Sequence, residues 1–206
     1  IVSRWMKQRG CRVEIVLCTK VSSGSSSENI HNQVQASLER LGVDHVDIYM
    51  LHDVDTTVPL DETLDALDKQ VGAGHVNVIG CSNFSAKLLR EALNISKTNG
   101  YARCEVAQPP YSLANRTIET DSLPLCKHEQ IATMTYSPLG AGFLSGKYKP
   151  TEERHGFPKG TRFDIAPTHA DIYFNDRNFG ILNQLRQKAN ELGEPMVYLA
   201  MAWVLG

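Results

Sequence analysis

The chain has 206 residues, 42% of them hydrophobic and 21% charged, which suits one globular domain with a substantial buried core. A formal charge of -2 spread along the sequence excludes both the basic stripe of a nucleic-acid binder and the acidic block of a solvated tail. No apolar run approaches the roughly 18 residues of a membrane span, and the five cysteines have neither CxxC nor zinc spacing. A cytoplasmic protein with free thiols and no membrane partner is therefore expected.

The chain opens on IVSRWMKQRG and stops at YLAMAWVLG, both of which read as helix interior, so a stretch of a longer protein is expected. The first strand is predicted at EIVLC (14–18). The helix after it takes Ser27 as N-cap, carries an apolar stripe through Ile30, Val34, Leu38 and Leu41, and stops at Gly42. A second strand, VDIYML (46–51), is followed by a helix with Leu60, Leu64, Leu67 and Val71, ending near Gly74. A third, VNVIGC (76–81), leads to a helix capped by Ser85 and running through Leu88, Leu89, Ala92 and Leu93 to Gly100. CEVAQ (104–108) is the fourth strand, with a shorter helix in ETDSLPLCKHEQ, and IATMTY (131–136) is the fifth. A long loop then runs from 137 to about 174. It precedes a helix through Ile181, Leu182, Leu185, Ala189 and Leu192, closed by Gly193, and a last helix with Pro195 in its first turn.

Strands about 30 residues apart with helices between them imply a parallel sheet, either a barrel or an open doubly wound sheet. The dinucleotide pattern GxGxxG is missing after the early strands, which counts against the open sheet. Each strand instead ends in polar residues: Thr19-Lys20, His52-Asp53, Ser82-Asn83, Gln108 and Tyr136-Ser137. That is the active face of a TIM barrel. Five strands are too few to close it, so only central units, about strands 3–7 of a (β/α)8 barrel, are expected in a single partial domain covering residues 1–206.

Several of these residues point to chemistry, each against a plainer reading. Strand alternation puts Val16, Cys18 and Lys20 on one face, aiming an ammonium at the barrel mouth; a surface lysine at a turn is the alternative. His52 shares a face with Ile48 and Met50 and could be a satisfied core histidine, but Lys20 one strand away favours function. His52, Asp53 and Asp55 invite a metal reading and lack a further ligand set. GCSNFS (80–85) is a strand-to-helix turn, and AQPPYS (107–112) leaves Gln108 before two prolines. TYSPLGAGFLSGKY (135–148) carries three glycines that let backbone amides approach phosphate. It fails the P-loop pattern at Ala141 and Tyr148.

SLERLGVDHVDIYMLH, GHVNVIGCSNFS and YSPLGAGFLSGKY, in this order and spacing, resemble the aldo-keto reductase superfamily, above all its bacterial and channel-subunit-like branch. The resemblance extends over nearly the whole chain. It implies a TIM barrel that uses NADPH, usually, to reduce aldehydes and ketones. Of the family's catalytic Asp, Tyr, Lys and His, it assigns the lysine to Lys20 and the histidine to His52, and places the Asp and Tyr before Ile1. It implies that Ser82, Asn83 and Gln108 hold the nicotinamide amide and that Tyr136 lies under the nicotinamide ring. Ser137, Pro138, Leu139, Gly140, Gly142 and Lys147 would follow the pyrophosphate, with Arg162 a guess for a further basic contact. The implied substrate is a small carbonyl compound, and oligomeric state is open. Two other readings stay on the table. One is a catalytically weak NADP-binding regulatory subunit; such relatives have asparagine where His52 stands. The other is a barrel aldolase with Lys20 as Schiff-base lysine.

Overall fold

A computed structural model describes residues 1–150, 157 and 159–206. Within them the chain forms two compact units: residues 1–109 with 121–134, and residues 110–120 with 135–206.

The first unit is built on one parallel sheet. Its strands are β1 (Cys18–Val21), β2 (Val46–Leu51), β3 (Val76–Ser82), β4 (Cys104–Gln108) and β5 (Ala132–Thr133), hydrogen-bonded in chain order without a reversal. A doubly wound sheet reverses its strand order at a switch point; sequential order is that of consecutive βα units of a TIM barrel. Helices α1 (Val2–Arg9), α2 (Ser27–Leu41), α3 (Leu60–Gly72), α4 (Ala86–Asn99) and α5 (Ser122–His128) complete the unit. On one sheet face Leu17, Val21, Tyr49, Leu51, Ile79, Cys81 and Ala107 pack with Ile30, Val34 and Leu38 of α2, Leu64 and Leu67 of α3, and Leu89 and Ala92 of α4. The register pairs Lys20 with Met50, Met50 with Gly80, Gly80 with Val106, and Ser82 with Gln108. Alternation puts these residues on the opposite face.

The helix stops fall where the glycines are. Gly42, Gly100 and Gly193 adopt φ of 65°, 73° and 68° after their helices, a conformation that costs a glycine little. Ser85 caps α4, its Oγ accepting from the Leu88 N–H at 3.2 Å. The cap of α2 is Ser26, not Ser27: its Oγ accepts from the Asn29 N–H at 3.3 Å. Pro195 stands one residue before α9 rather than in its first turn.

Three strands differ from their predicted spans, the third only by running one residue further, to Ser82. The first begins at Cys18 instead of residue 14, and Arg12–Glu14 form a 3-10 turn. The Asp47 carboxylate takes the Leu17 N–H at 2.7 Å and an Arg12 Nη1 at 2.9 Å, while Arg12 Nη2 donates to the His45 carbonyl at 3.1 Å. The Leu17 carbonyl still accepts the Asp47 and Ile48 N–H groups at 3.0 and 3.1 Å, but its N–H has gone to a side chain, and Val16 beyond it is 73% exposed. The fifth strand contracts to Ala132–Thr133 because its neighbour runs into Pro109-Pro110, which have no N–H to give.

Burial alone would raise the Asp47 pKa, but the Leu17 N–H and the Arg12 guanidinium outweigh it and hold the carboxyl below its usual range. A depressed carboxylate stabilises the fold above its unfolded pKa of about 3.9 and loses that contribution as pH falls through the folded value. Asp47→Asn should therefore cost about 1–2 kcal/mol near neutral pH. The difference from the parent should shrink in urea titrations taken below about pH 4. A gap that stays constant down to low pH would contradict this.

The second unit has no sheet among its described residues. Its helices are α6 (Arg162–Ile165), α7 (Ala170–Tyr173), α8 (Asp176–Leu192) and α9 (Met196–Leu205). The predicted loop from 137 to 174 thus contains short helices, and residues 151–156 and 158 of it lie outside the described residues. Its core is aromatic: Phe143, Tyr148, Phe163 and Tyr173 are buried, and Phe163 and Phe174 meet edge to face at 5.0 Å. Among the described residues no helix is long and apolar enough to cross a membrane, and all five cysteines are free thiols.

Candidate active site

In the first unit the polar residues singled out above gather at the C-terminal ends of β1 to β4. Lys20 is half-buried on β1, and its ammonium makes no hydrogen bond or ion pair among the described residues. The ammonium acts on the Cys18 thiol of the same strand, whose pKa burial pushes up while the charge pulls it down. His52 follows β2 and is exposed, two residues past Met50, the register partner of Lys20. Beside His52 opens a cleft of about 360 Å³ lined by residues 21–25 and 52–56.

Ser82 and Asn83 end β3. The Ser82 Oγ donates to the Gln108 carbonyl at 3.0 Å, and the Asn83 N–H donates to the same oxygen at 3.3 Å. Asn83 adopts φ of 62° and turns its Nδ2 onto the His52 carbonyl at 3.1 Å and Asp53 Oδ1 at 2.8 Å. β2, β3 and β4 are thus tied together at one end by side chains. The Gln108 carboxamide is half-buried and has no hydrogen bond among the described residues, so its N–H and C=O are available to a bound amide. That fits recognition of a nicotinamide carboxamide.

The remaining predicted positions lie in the second unit. Tyr136 pairs with Pro110 in an isolated bridge, its carbonyl accepts the Tyr111 N–H at 3.0 Å, and its side chain is 37% exposed. Ser137, Gly140, Ala141, Gly142 and Gly146 all have positive φ, which coils residues 137–146 tightly. The amides of Gly140, Gly142, Phe143, Leu144, Ser145 and Gly146 all donate to carbonyls inside this coil. The glycines therefore shape the loop instead of presenting those N–H groups to a phosphate. Gly140 is needed for closeness as well: a Cβ there would stand 2.9 Å from the Tyr173 ring. Pro138 and Leu139 are half-buried. What the loop holds out is the exposed Lys147, whose Nζ rests 5.2 Å from the Tyr148 ring centroid, a mobile cation suited to phosphate. Arg162 is exposed at the start of α6.

Four of the five described non-glycine residues with positive φ, Ser23, Asn83, Ser137 and Ala141, stand in the loops after β1, β3 and β5. Strain of this kind collects at functional loops. Sequence reading missed the loop of residues 22–25 and the part played by Asp53 and Asp55. Both acids are occupied by N–H or O–H donors, and a small polar run with a glycine, SSGSSS, was the available signal.

The profile of a family described as "Aldo/keto reductase family" matches residues 1–206. The chain is 30% identical to "Aldo-keto reductase yakc [NADP(+)]" of Schizosaccharomyces pombe over 99% of its length and 61% of the relative's. It is 31% identical to the "Probable voltage-gated potassium channel subunit beta" of Arabidopsis thaliana over 93% of its length and 61% of the relative's. With the "NADH-specific methylglyoxal reductase" of Escherichia coli it shares 32% identity over 87% of its length and 52% of the relative's. The chain thus spans between half and two thirds of the length of these curated relatives.

Proposed function

The chain belongs to the aldo/keto reductase family, and on that premise we propose that the full-length protein is an NADPH-dependent oxidoreductase that reduces an aldehyde or ketone to the alcohol. The family supports an oxidoreductase with a nicotinamide cofactor. The observation that carries the reading is the pair of Lys20 and His52 on neighbouring strands, with His52 on a cleft and an amide left free on Gln108 two strands beyond His52.

When bound, the reduced nicotinamide supplies the hydride. The side chains of this chain manage the rest. Lys20 acts on a phenol, which the family pattern puts before Ile1. A phenol has a pKa of about 10, and a neighbouring ammonium stabilises the phenolate and lowers it, so that the phenol can protonate the carbonyl oxygen. His52 donates a hydrogen bond to that oxygen and orients it. Gln108, Ser82 and Asn83 would hold the nicotinamide amide, Tyr136 would lie against the ring, and Ser137, Pro138, Leu139, Gly140, Gly142 and Lys147 would lie along the pyrophosphate. In this reading residues 1–206 are one partial barrel domain of a cytoplasmic enzyme whose partner is a small carbonyl compound.

The names of the relatives divide over the cofactor, NADP(+) in one and NADH in another, so the test measures both. Full-length protein is given each reduced nicotinamide with a reactive aldehyde, and loss of nicotinamide absorbance is followed. Turnover favouring NADPH is expected. Tight NADPH binding without turnover would turn the assignment towards a regulatory subunit. Trapping of the aldehyde on Lys20 by borohydride would turn it towards an aldolase.

A further inference from the structure

We infer that Asp55 is a positioning residue that braces the serine loop of residues 22–25 against the turn after β2, and so fixes the wall of the cleft beside His52. The inference rests on the reductase reading of that cleft and adds a determinant of substrate fit to it.

The brace is two-sided. Asp55 Oδ1 accepts from the Thr57 N–H at 2.9 Å and the Thr57 hydroxyl at 2.6 Å, which closes the local turn. Oδ2 accepts from the Ser25 N–H at 2.9 Å, 30 residues away in sequence. A turn residue needs only the first set; the second joins two separate loops, and both line the cleft. Gly24 has φ of +106°, and a Cβ there would stand 3.4 Å from Oδ2, so the loop passes close over the carboxylate. The other acid of the stretch, Asp53, faces Asn83 instead.

The serine loop is held from its far side too. Asn29 Nδ2 donates to the Gly24 carbonyl at 2.7 Å and approaches those of Ser22 and Ser23 at 3.4 Å. Ser25 is buried, and its hydroxyl shares a 3.0 Å hydrogen bond with that of Thr63 on α3. Behind this wall lies a second cavity of about 160 Å³, where Ser25 and Asp55 meet Leu51, Leu60 and Phe84. The wall therefore has room to fall back once its brace is cut. The Thr57 and Ser25 donors also hold the Asp55 carboxyl below its usual range, keeping the acceptor ionised near neutral pH.

Asn in place of Asp offers one acceptor oxygen and one NH₂ where two N–H partners must be met, so one side of the brace opens. In the full-length protein, Asp55→Asn should raise KM for 4-nitrobenzaldehyde by about fivefold or more, as for a lost hydrogen bond to a charged group. KM for acetaldehyde, too small to span the cleft, kcat for both aldehydes, and NADPH affinity should stay within about twofold. Asn29→Ala, which frees the same loop from the other side, should give the same selective pattern, and it serves if Asp55→Asn fails to fold. Equal KM rises for both aldehydes, a shift in NADPH affinity, or unchanged KM for 4-nitrobenzaldehyde in the folded variants would overturn the brace. A parent protein that turns over neither aldehyde overturns the reductase reading instead. The brace is then judged by hydrogen exchange at the Ser25 amide, which must quicken in Asp55→Asn; protection equal to the parent overturns it.

Discussion

Lys20→Met in the full-length protein is expected to slow single-turnover reduction of a reactive aldehyde by about 10²–10⁴-fold, the range a positioned proton donor contributes, with NADPH affinity nearly unchanged. The basis is local. Lys20 is half-buried and has no acidic partner among the described residues, so its charge is not neutralised and is free to bias a neighbouring phenol. Methionine keeps the apolar stem and removes only the ammonium. Lys20→Arg, which restores a cation in a different shape, should recover part of the rate, as a purely steric role would not. His52 acts by a different route, on the carbonyl oxygen. His52→Gln keeps a donor and should fall less far than His52→Ala, by roughly tenfold, one charge-assisted hydrogen bond. If Lys20→Met reduces the aldehyde at the parent rate, the lysine is outside the proton-transfer machinery, and cofactor binding without catalysis becomes the better reading.

The repeat of strand and helix was legible because its signals are local and periodic. Val46–Leu51 and Cys104–Gln108 have the predicted bounds, and the stripe of Ile30, Val34 and Leu38 is buried as expected. Where a long-range side chain edits the ladder, periodicity has nothing to say. Asp47 taking the Leu17 N–H moved the first strand from 14–18 to 18–21. The aromatic core of the second unit was invisible for a related reason. Phe143, Phe163 and Tyr173 come from separate short turns, so no repeat of 3.6 or 2 connects them. At the site, residue types and strand ends pointed to Lys20, His52 and Gln108. The sequence also suggested that glycines would free amides for phosphate, whereas the coil consumes them. Asp55 stood out only in a metal reading with His52 and Asp53 that lacked further ligands; its role went unread because its partners, Ser25 and Thr57, are common turn residues with no distinctive spacing.

Gly80→Ala should be among the most damaging single-methyl changes in the molecule, about 3 kcal/mol or more. Gly80 sits where the β3–β4 register shifts between Ile79 and Gly80, as glycines in strands often do when a neighbouring backbone comes close. A Cβ there would stand 2.6 Å from the Val106 carbonyl oxygen, 3.1 Å from the Val106 Cβ and 3.2 Å from the Met50 Cε. The methionine end can swing aside; the carbonyl is main chain in the middle of the sheet and cannot move without parting two strands. The damage reaches function because the same two strands, two residues further on, carry the Ser82 to Gln108 hydrogen bond and the Asn83 amide on the Gln108 carbonyl. A partly separated pair would release Gln108, so NADPH affinity should fall even where the variant stays folded. Gly180→Ala is the matched control: it lies in α8 with nothing within 4 Å of the added Cβ and should stabilise by about 0.5–1 kcal/mol through helix propensity alone. Urea unfolding of both variants in the full-length protein decides it. If Gly80→Ala unfolds at the parent's midpoint and binds NADPH as tightly, β3 and β4 do not approach as closely as the register shift requires, and the tie between Ser82 and Gln108 is not what holds this end of the sheet in place.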